Sequence, residues 1–483
     1  MVAVGDRANG AVLDRLVRDV PQRPDRLLLR GGYVLTMDPA VGDFVGDVLI
    51  VRDVIEAVGP GVSAGVGEDA LVLDVSGQIV LPGLVDSHVH AWEGAIRGIA
   101  PDADFGNYMA ITHGGIAKYM SPEDVAAGQR VTVAQALNGG VTTIVDNSHN
   151  SRTGAHSDAA IGALRSAGIR AVHAVGSPAA GNAGQQLPGD LLRLREEYFS
   201  SADQLLTLRM FDMTPSVESW TYARDHGFDV VAEMGMWIPD LDVLLATGLS
   251  GPGHTYNHCA GLSDAQWRLI ADGGAAINMV PRSDSQFGLG SFIPILHANR
   301  LGLQEGISCD NELSYGYDMF TEMRTLVTIQ RGLSFGAEFG GETGVPARYG
   351  PRDALRAATI GGALNTGLER IGSLTPGKKA DVLVIDLDRV PTRPFGSLAG
   401  TVVNFAGVAN VDLVFVDGVV RKCRGRLVGT AYDSVVADAE QSREALLNQF
   451  GVSLEDVRFD RGLELEPDGT DEHVAAVSKS SGH

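Results

Sequence analysis

The chain has 483 residues, 44% of them hydrophobic and 20% charged, and a formal net charge of −22. That length exceeds one ordinary hydrophobic core, so two structural units are expected. The acidic balance, with no local basic patch to offset it, argues against a nucleic-acid backbone or an anionic membrane surface as partner.

The 61 glycines suit an α/β protein with many tight strand-to-helix turns. Cys259, Cys309 and Cys423 are odd in number and widely spaced, which is neither a disulfide framework nor a zinc ribbon and favours a reducing, cytoplasmic compartment. The first twenty residues interleave charged and apolar positions, so neither a signal peptide nor a membrane span is read there.

Residues 26–80 hold short β-branched runs such as RLLLRGGYVLTMD, separated by Gly, Asp and Pro turns, and predict strands of a small sheet. The same texture returns in ADVLVIDLD at 380–388 and in NVDLVFVDGVVRKCRGRLVG at 410–429, so the sheet is expected to draw on both ends of the chain. Between residues 81 and 372, strand-like runs alternate with amphipathic helical patterns, as in TTIVDNS before SDAAIGALRSAG and HTYNHCAG before SDAQWRLIADGG. Such alternation suits a (β/α)₈ barrel. The competing doubly wound sheet lacks a GxGxxG between strand and helix. A helix is expected near SVVADAEQSREALLNQFG, followed by a mobile tail.

The chemistry concentrates at strand ends. In VLPGLVDSHVH, residues 80–90, an apolar run closes on His88 and His90; side chains two apart in a strand share a face, so both imidazoles can reach one metal. The C-terminal ends of barrel strands are where barrel active sites lie.

PGLVDSHVH resembles the first-strand motif of the amidohydrolase superfamily. LTPGKKADVLVIDLD and VDLVFVDGVVRKCRGRLVG are similar to the segments where those proteins return to a small β-sandwich. The resemblance spans about residues 26–430 and is nearest to the cytosine-deaminase-like and triazine chlorohydrolase branch. It implies a distorted (β/α)₈ TIM barrel joined to a β-sandwich. Residues 1–80 are the N-terminal part of the sandwich, 81–372 the barrel, 373–430 the C-terminal part of the sandwich, and 431–483 a helix and tail.

By that resemblance Asp310, in GISCDNELSYG, is the eighth-strand metal ligand and proton shuttle; an N-cap or Asx turn is its ordinary alternative. His258 is the sixth-strand histidine beside metal and substrate, with His254 as the rival. The fifth strand departs from the branch: FDVVAEMGMW carries Glu233 in the histidine's place and Met236 where several relatives have a glutamate acid. Either Glu233 is a metal ligand, since carboxylates bind zinc at distances like those of imidazole, or it is the general acid over a metal with fewer ligands. No lysine ends the fourth strand, LLTLRMFDMTPS, so one divalent ion is expected. Zinc is the first choice, and the extra oxygen donor leans toward iron or manganese.

Asp146 and His149 close the second strand and are candidate substrate contacts or a surface turn. Arg282, Ser283, Asp284 and Gln286 follow the seventh strand, and Trp92 and Trp237 either stack on a flat ring or pack. The resemblance implies a metal-dependent hydrolase that attacks an electron-poor N-heterocycle with activated water, releasing an amine or halide. Asp310 takes the proton and His258 stabilises charge on the substrate. Hydrolysis of a cyclic or linear amide is the alternative chemistry, and a barrel that has lost its metal the non-catalytic one. A small-molecule substrate and a homodimer or higher homo-oligomer are implied as partners.

Overall fold

The computed structural model describes residues 4–67, 69–178, 190–201 and 203–459. The expected C-terminal tail beyond 459 lies outside them. Eight parallel strands form one sheet in chain order: Leu84–Val89, Val141–Ser148, Arg170–Val175, Leu206–Asp212, Val230–Gly235, His254–Ala260, Ala276–Met279 and Glu305–Ile307. Helices follow most strands and pack on the outer face, where Trp220, Trp267, Phe320 and the outward residues of each strand make the largest apolar cluster. The last strand is short, and the barrel closes just beyond it. Val89 and Asp310 form a parallel bridge there, with His90 N–H donating to the Asp310 carbonyl at 2.7 Å and Asp310 N–H to the His88 carbonyl at 3.0 Å.

The second unit is a nine-stranded mixed sheet built from both ends of the chain. Its join is antiparallel, Ile79–Pro82 against Val382–Ile385, so the strands leading into and out of the barrel are hydrogen-bonded neighbours. One apolar cluster holds Leu27, Ile50 and Ile55 together with Val384, Phe415 and Val420, so the sheet curls over a core of its own. Leu13 and Leu16 of the helix Val4–Arg18 complete that core. No apolar stretch in the sequence marks this helix, because only one side of it meets the sheet.

Between the first two barrel strands lies a segment for which no element is expected. It contains a tight turn at Ala91–Ile96 and the helices Phe105–Ile111 and Pro122–Asn138. The longer helix starts on a capping box, Ser121 with Asp124, and a proline in its first turn. Its Gly128 lies against the Trp92 backbone, where a Cβ would sit 2.1 Å from the Trp92 carbonyl oxygen. Only glycine lets the helix press the turn after His90 into place. The C-terminal helix Tyr432–Phe450 crosses this region, with Leu446 and Leu447 in one cluster with Ile96, Tyr108 and Ile116 and with Phe450 laid on Gly115. Among the described residues no helix is long and apolar enough to cross a membrane.

The two units are locked by a buried charge cluster. Arg170, which opens the third barrel strand, donates to Asp381 at 2.7 and 3.1 Å and to Asp417 at 3.0 Å, and the Asp417 N–H returns to Asp381 at 2.7 Å. Removing one partner of such a pair leaves buried charge uncompensated. Arg170→Leu is expected to lower unfolding free energy by about 3–5 kcal/mol, read from urea denaturation; a loss under about 1 kcal/mol contradicts the locking role.

Candidate active site

The first barrel strand is wholly buried and ends at the mouth. His88 and His90 project from one face, ring centroids 4.8 Å apart. Beneath them Asp86 accepts from the His88 N–H at 3.2 Å and the Cys309 N–H at 3.3 Å, tying the first strand to the chain beyond the eighth. Burial pushes the Asp86 carboxyl up to about 7, although hydrogen bonds from Tyr317 and the two amides act against it.

Asp310 has φ 66°, the left-handed region that residues other than glycine seldom occupy. That twist lets its backbone bridge to the first strand while its carboxylate turns into the mouth. Oδ1 lies 3.0 Å from His88 Nε2 and 3.3 Å from His90 Nε2, and Oδ2 accepts from the Ser283 hydroxyl. His258, φ 63°, uses the same device at the end of the sixth strand. Its Nδ1–H donates to Asp284 at 2.7 Å, which aims Nε2 at Glu233 Oε2, 3.2 Å away. Asp284 is itself held by the Val280 N–H at 3.1 Å.

Glu233 shares the inward face of the fifth strand with Val231, which packs inside the barrel. Its Oε1 lies 3.7 Å from His88 Nε2 and 4.0 Å from His90 Nε2, and accepts from Asn257 at 3.3 Å. Burial raises the Glu233 pKa, but His88, His258 and His90 outweigh it and bring it down to about 2. Asp310 behaves alike: burial acts against ionisation, and hydrogen bonds from His88 and His90 hold the carboxyl well below the usual carboxylate range. Burial opposes charge on His90 too, yet Asp310, Glu93 and Glu233 push it up to about 9.

The donor set fits a divalent cation. A tetrahedral ion with bonds of about 2.0–2.2 Å sets its ligands roughly 3.3–3.6 Å apart, and the four histidine–carboxylate separations, 3.0–4.0 Å, bracket that value. His90 Nδ1 faces the Asn147 carbonyl at 3.4 Å, so it keeps a proton there, and a cation that displaced the Nε2 proton would find a lone pair set beside two carboxylates. His88 Nδ1 lies against the Asn147 side-chain amide, whose oxygen has no other hydrogen-bond partner. Turned to accept from His88 Nδ1–H, that oxygen frees His88 Nε2 as a second lone pair. Two neutral imidazoles and two carboxylates balance a charge of +2.

Above these groups a cavity of about 130 Å³ is bounded by His90, Glu233, His258 and Asp310 on its floor and by Phe105, Tyr108, His113, Trp237 and Phe287 on its walls. Trp237 reaches it by folding back over Gly235, where a Cβ would meet the indole at 2.2 Å.

The other candidates lie elsewhere. His149 sits one layer back, 3.1 Å from His113 Nδ1 and 3.1 Å from the Asn147 carbonyl. Trp92 is buried behind both, 5.3 Å from the His149 ring. Asp146 is engaged by Gln129 and His173 at 2.9 and 2.8 Å. Arg282 turns away to pair with Glu322 and cover Tyr315, and Gln286 donates to the Pro101 carbonyl at 3.1 Å. His254 packs on Trp220 at the opposite end of the sixth strand. Sequence reasoning missed Phe105, Tyr108 and His113, which arrive on the segment between the first two strands. The apolar spacing of FGNYMAI before a lone histidine was the available signal.

This arrangement matches known proteins. The model of the amidohydrolase family matches residues 79–214 and 245–421, and the chain belongs to that family. It is a hydrolase of the family's metal-dependent kind. A 5-methylthioadenosine/S-adenosylhomocysteine deaminase of Desulforudis audaxviator is 28% identical over 446 residues, 87% of this chain and 99% of the relative. A 5'-deoxyadenosine deaminase of Methanosarcina acetivorans is 24% identical over 453 residues, 87% of this chain and 98% of the relative. Among solved structures, an adenosine deaminase from Xanthomonas campestris with bound zinc superposes with a TM-score of 0.75 at 23% identity, over 89% of this chain and all of that one. The zinc complex of atrazine chlorohydrolase from Arthrobacter aurescens TC1 gives 0.74 at 21%, over 86% of this chain and all of that one.

If the convergent nitrogens and carboxylates hold one cation, His88→Ala and His90→Ala should each leave the purified protein with less than about a tenth of the wild-type metal, since losing a ligand costs more than the 10–100-fold of an outer-shell change. Elemental analysis beside an unchanged far-ultraviolet circular dichroism spectrum checks this. Full metal occupancy in either variant rejects the site.

Proposed function

We propose that this enzyme is an aminohydrolase that removes an amino group from an electron-poor N-heterocycle, using a single divalent ion held by His88, His90, Glu233 and Asp310. The observation that carries the reading is Asp310: one carboxylate oxygen faces the Nε2 of both imidazoles while the other is held by Ser283. The relatives that are deaminases of adenosine-type compounds support an amino leaving group.

A bound divalent ion would supply electrophilic activation, lowering the pKa of water from 15.7 toward ~7. The protein's own groups do the rest. Asp310 accepts a proton from the attacking water as the new C–O bond forms, and returns it to the departing nitrogen as the C–N bond breaks. Ser283, by fixing Oδ2, keeps the carboxylate from rotating away. His258, aligned by Asp284, sets Nε2 beside Glu233 at the cavity floor, from where it stabilises charge that builds on the ring nitrogen. Glu233 Oε1 lies 3.7 and 4.0 Å from the Nε2 atoms of His88 and His90, which favours the ligand role over that of a proton donor. The apolar walls exclude bulk water and admit a flat ring.

Zinc is the proposed ion, as in the zinc-bound neighbours, with the additional carboxylate leaning the site toward manganese or iron. The three cysteines are buried and unpaired, which supports a reducing compartment.

Ammonia release from a panel of aminated purines, pyrimidines and triazines tests the reaction, with chlorinated and amide substrates as the contrasting chemistries. Asp310→Asn is expected to lower kcat by at least ~10²-fold, and near-normal turnover rejects its proton-transfer role. Glu233→Gln should lose metal and activity together; activity lost with the metal fully retained would make Glu233 the general acid instead.

A further inference from the structure

We propose that His113 is a specificity-determining residue whose Nε2 is an unprotonated hydrogen-bond acceptor facing the cavity, so that the site selects uncharged flat heterocycles offering an N–H or O–H to that wall. The inference rests on reading this cavity as the substrate site and adds what that site recognises.

The polarity follows from a chain of three groups. The Asn147 carbonyl can only accept, so His149 Nδ1, 3.1 Å from it, carries a hydrogen. His149 is fully enclosed, and no carboxylate pairs with it or with His113 among the described residues. Its second nitrogen is therefore a lone pair. His113 Nδ1, 3.1 Å from that lone pair, must donate to it. A neutral imidazole has one N–H, and this bond uses it.

His113 is held edge-on between Tyr108 and Trp92, centroids 5.4 and 5.8 Å away, so the ring cannot turn to exchange its nitrogens cheaply. Among the described residues no lysine or arginine lines the cavity, and the carboxylates that do, Glu233 and Asp310, belong to the floor. An anionic substituent turned toward this wall would have no partner there and would pay the cost of burial. A ligand with an acceptor toward His113 would set two lone pairs against each other. A ring N–H satisfies both sides.

Indole and benzofuran test the inference, because they share size and shape and differ in offering a donor or an acceptor. Calorimetric titration of the metal-loaded protein should give indole at least ~10-fold tighter binding than benzofuran. His113→Phe, which keeps the aromatic bulk, should bring the two within twofold. His113→Gln, which restores an acceptor oxygen, should recover most of the preference. Equal binding by the wild type, binding of neither compound, or an undiminished preference in His113→Phe overturns the proposal. Carbon-13 histidine spectra give a reading independent of folding of the variants: the wild-type His113 signal should show the Nδ1–H tautomer, and the Nε2–H tautomer overturns it. Donor-selective binding with no ammonia released from any aminated heterocycle would retire the deaminase reading and leave the role of His113 standing.

Discussion

Two backbone hydrogen bonds, one from His90 to Asp310 and one from Asp310 to His88, hold the barrel shut, and the three residues they join supply three of the four proposed ligands. The eighth strand is too short to close the sheet within its own length. Closure instead falls to Asp310, whose left-handed backbone bridges the gap and turns its side chain inward. Such a conformation costs of order 1–3 kcal/mol and persists where the surroundings over-determine it. Here two main-chain bonds, two imidazoles and Ser283 do so. Assembly of the centre and closure of the barrel are thus one event.

The charges around that seam are paired outward. His258 leans on Asp284, Asp284 on the Val280 amide, Asp86 on two backbone N–H groups, and Glu233 on Asn257. The opposite wall is made of aromatic rings and the His113 imidazole, which is backed by His149. A reacting ring between these halves meets strong fields on the floor and little competing polarity above, in a medium where water does not screen them.

What the amino-acid pattern made legible is what depends on neighbours along the chain. His88 and His90 are two apart on one strand, so their shared face follows from the pleat, and the strand–helix alternation follows from hydrophobic period. Asp310, Glu233 and His258 were placed by likeness to a family, and three-dimensional proximity then gave them partners. The direction of Arg282 was not legible, because its partner Glu322 lies forty residues on and takes the guanidinium away from the mouth. Nor were Tyr108 and His113, since the segment carrying them has no repeating pattern and takes its position from contacts with Trp92, Gly128 and the C-terminal helix. The helix Val4–Arg18 was missed for a similar reason: its stabilisation comes from a sheet that the chain completes some 400 residues later.

The C-terminal helix has a consequence for biogenesis. Every barrel strand and every proposed ligand precedes it in the chain, yet Leu446, Leu447 and Phe450 are what brace the span bearing Tyr108 and His113. Until residues 432–450 have emerged and docked, the barrel strands can assemble while the roof of the pocket lacks this brace. The proposed selectivity thus depends on a helix made after every strand that carries the proposed ligands.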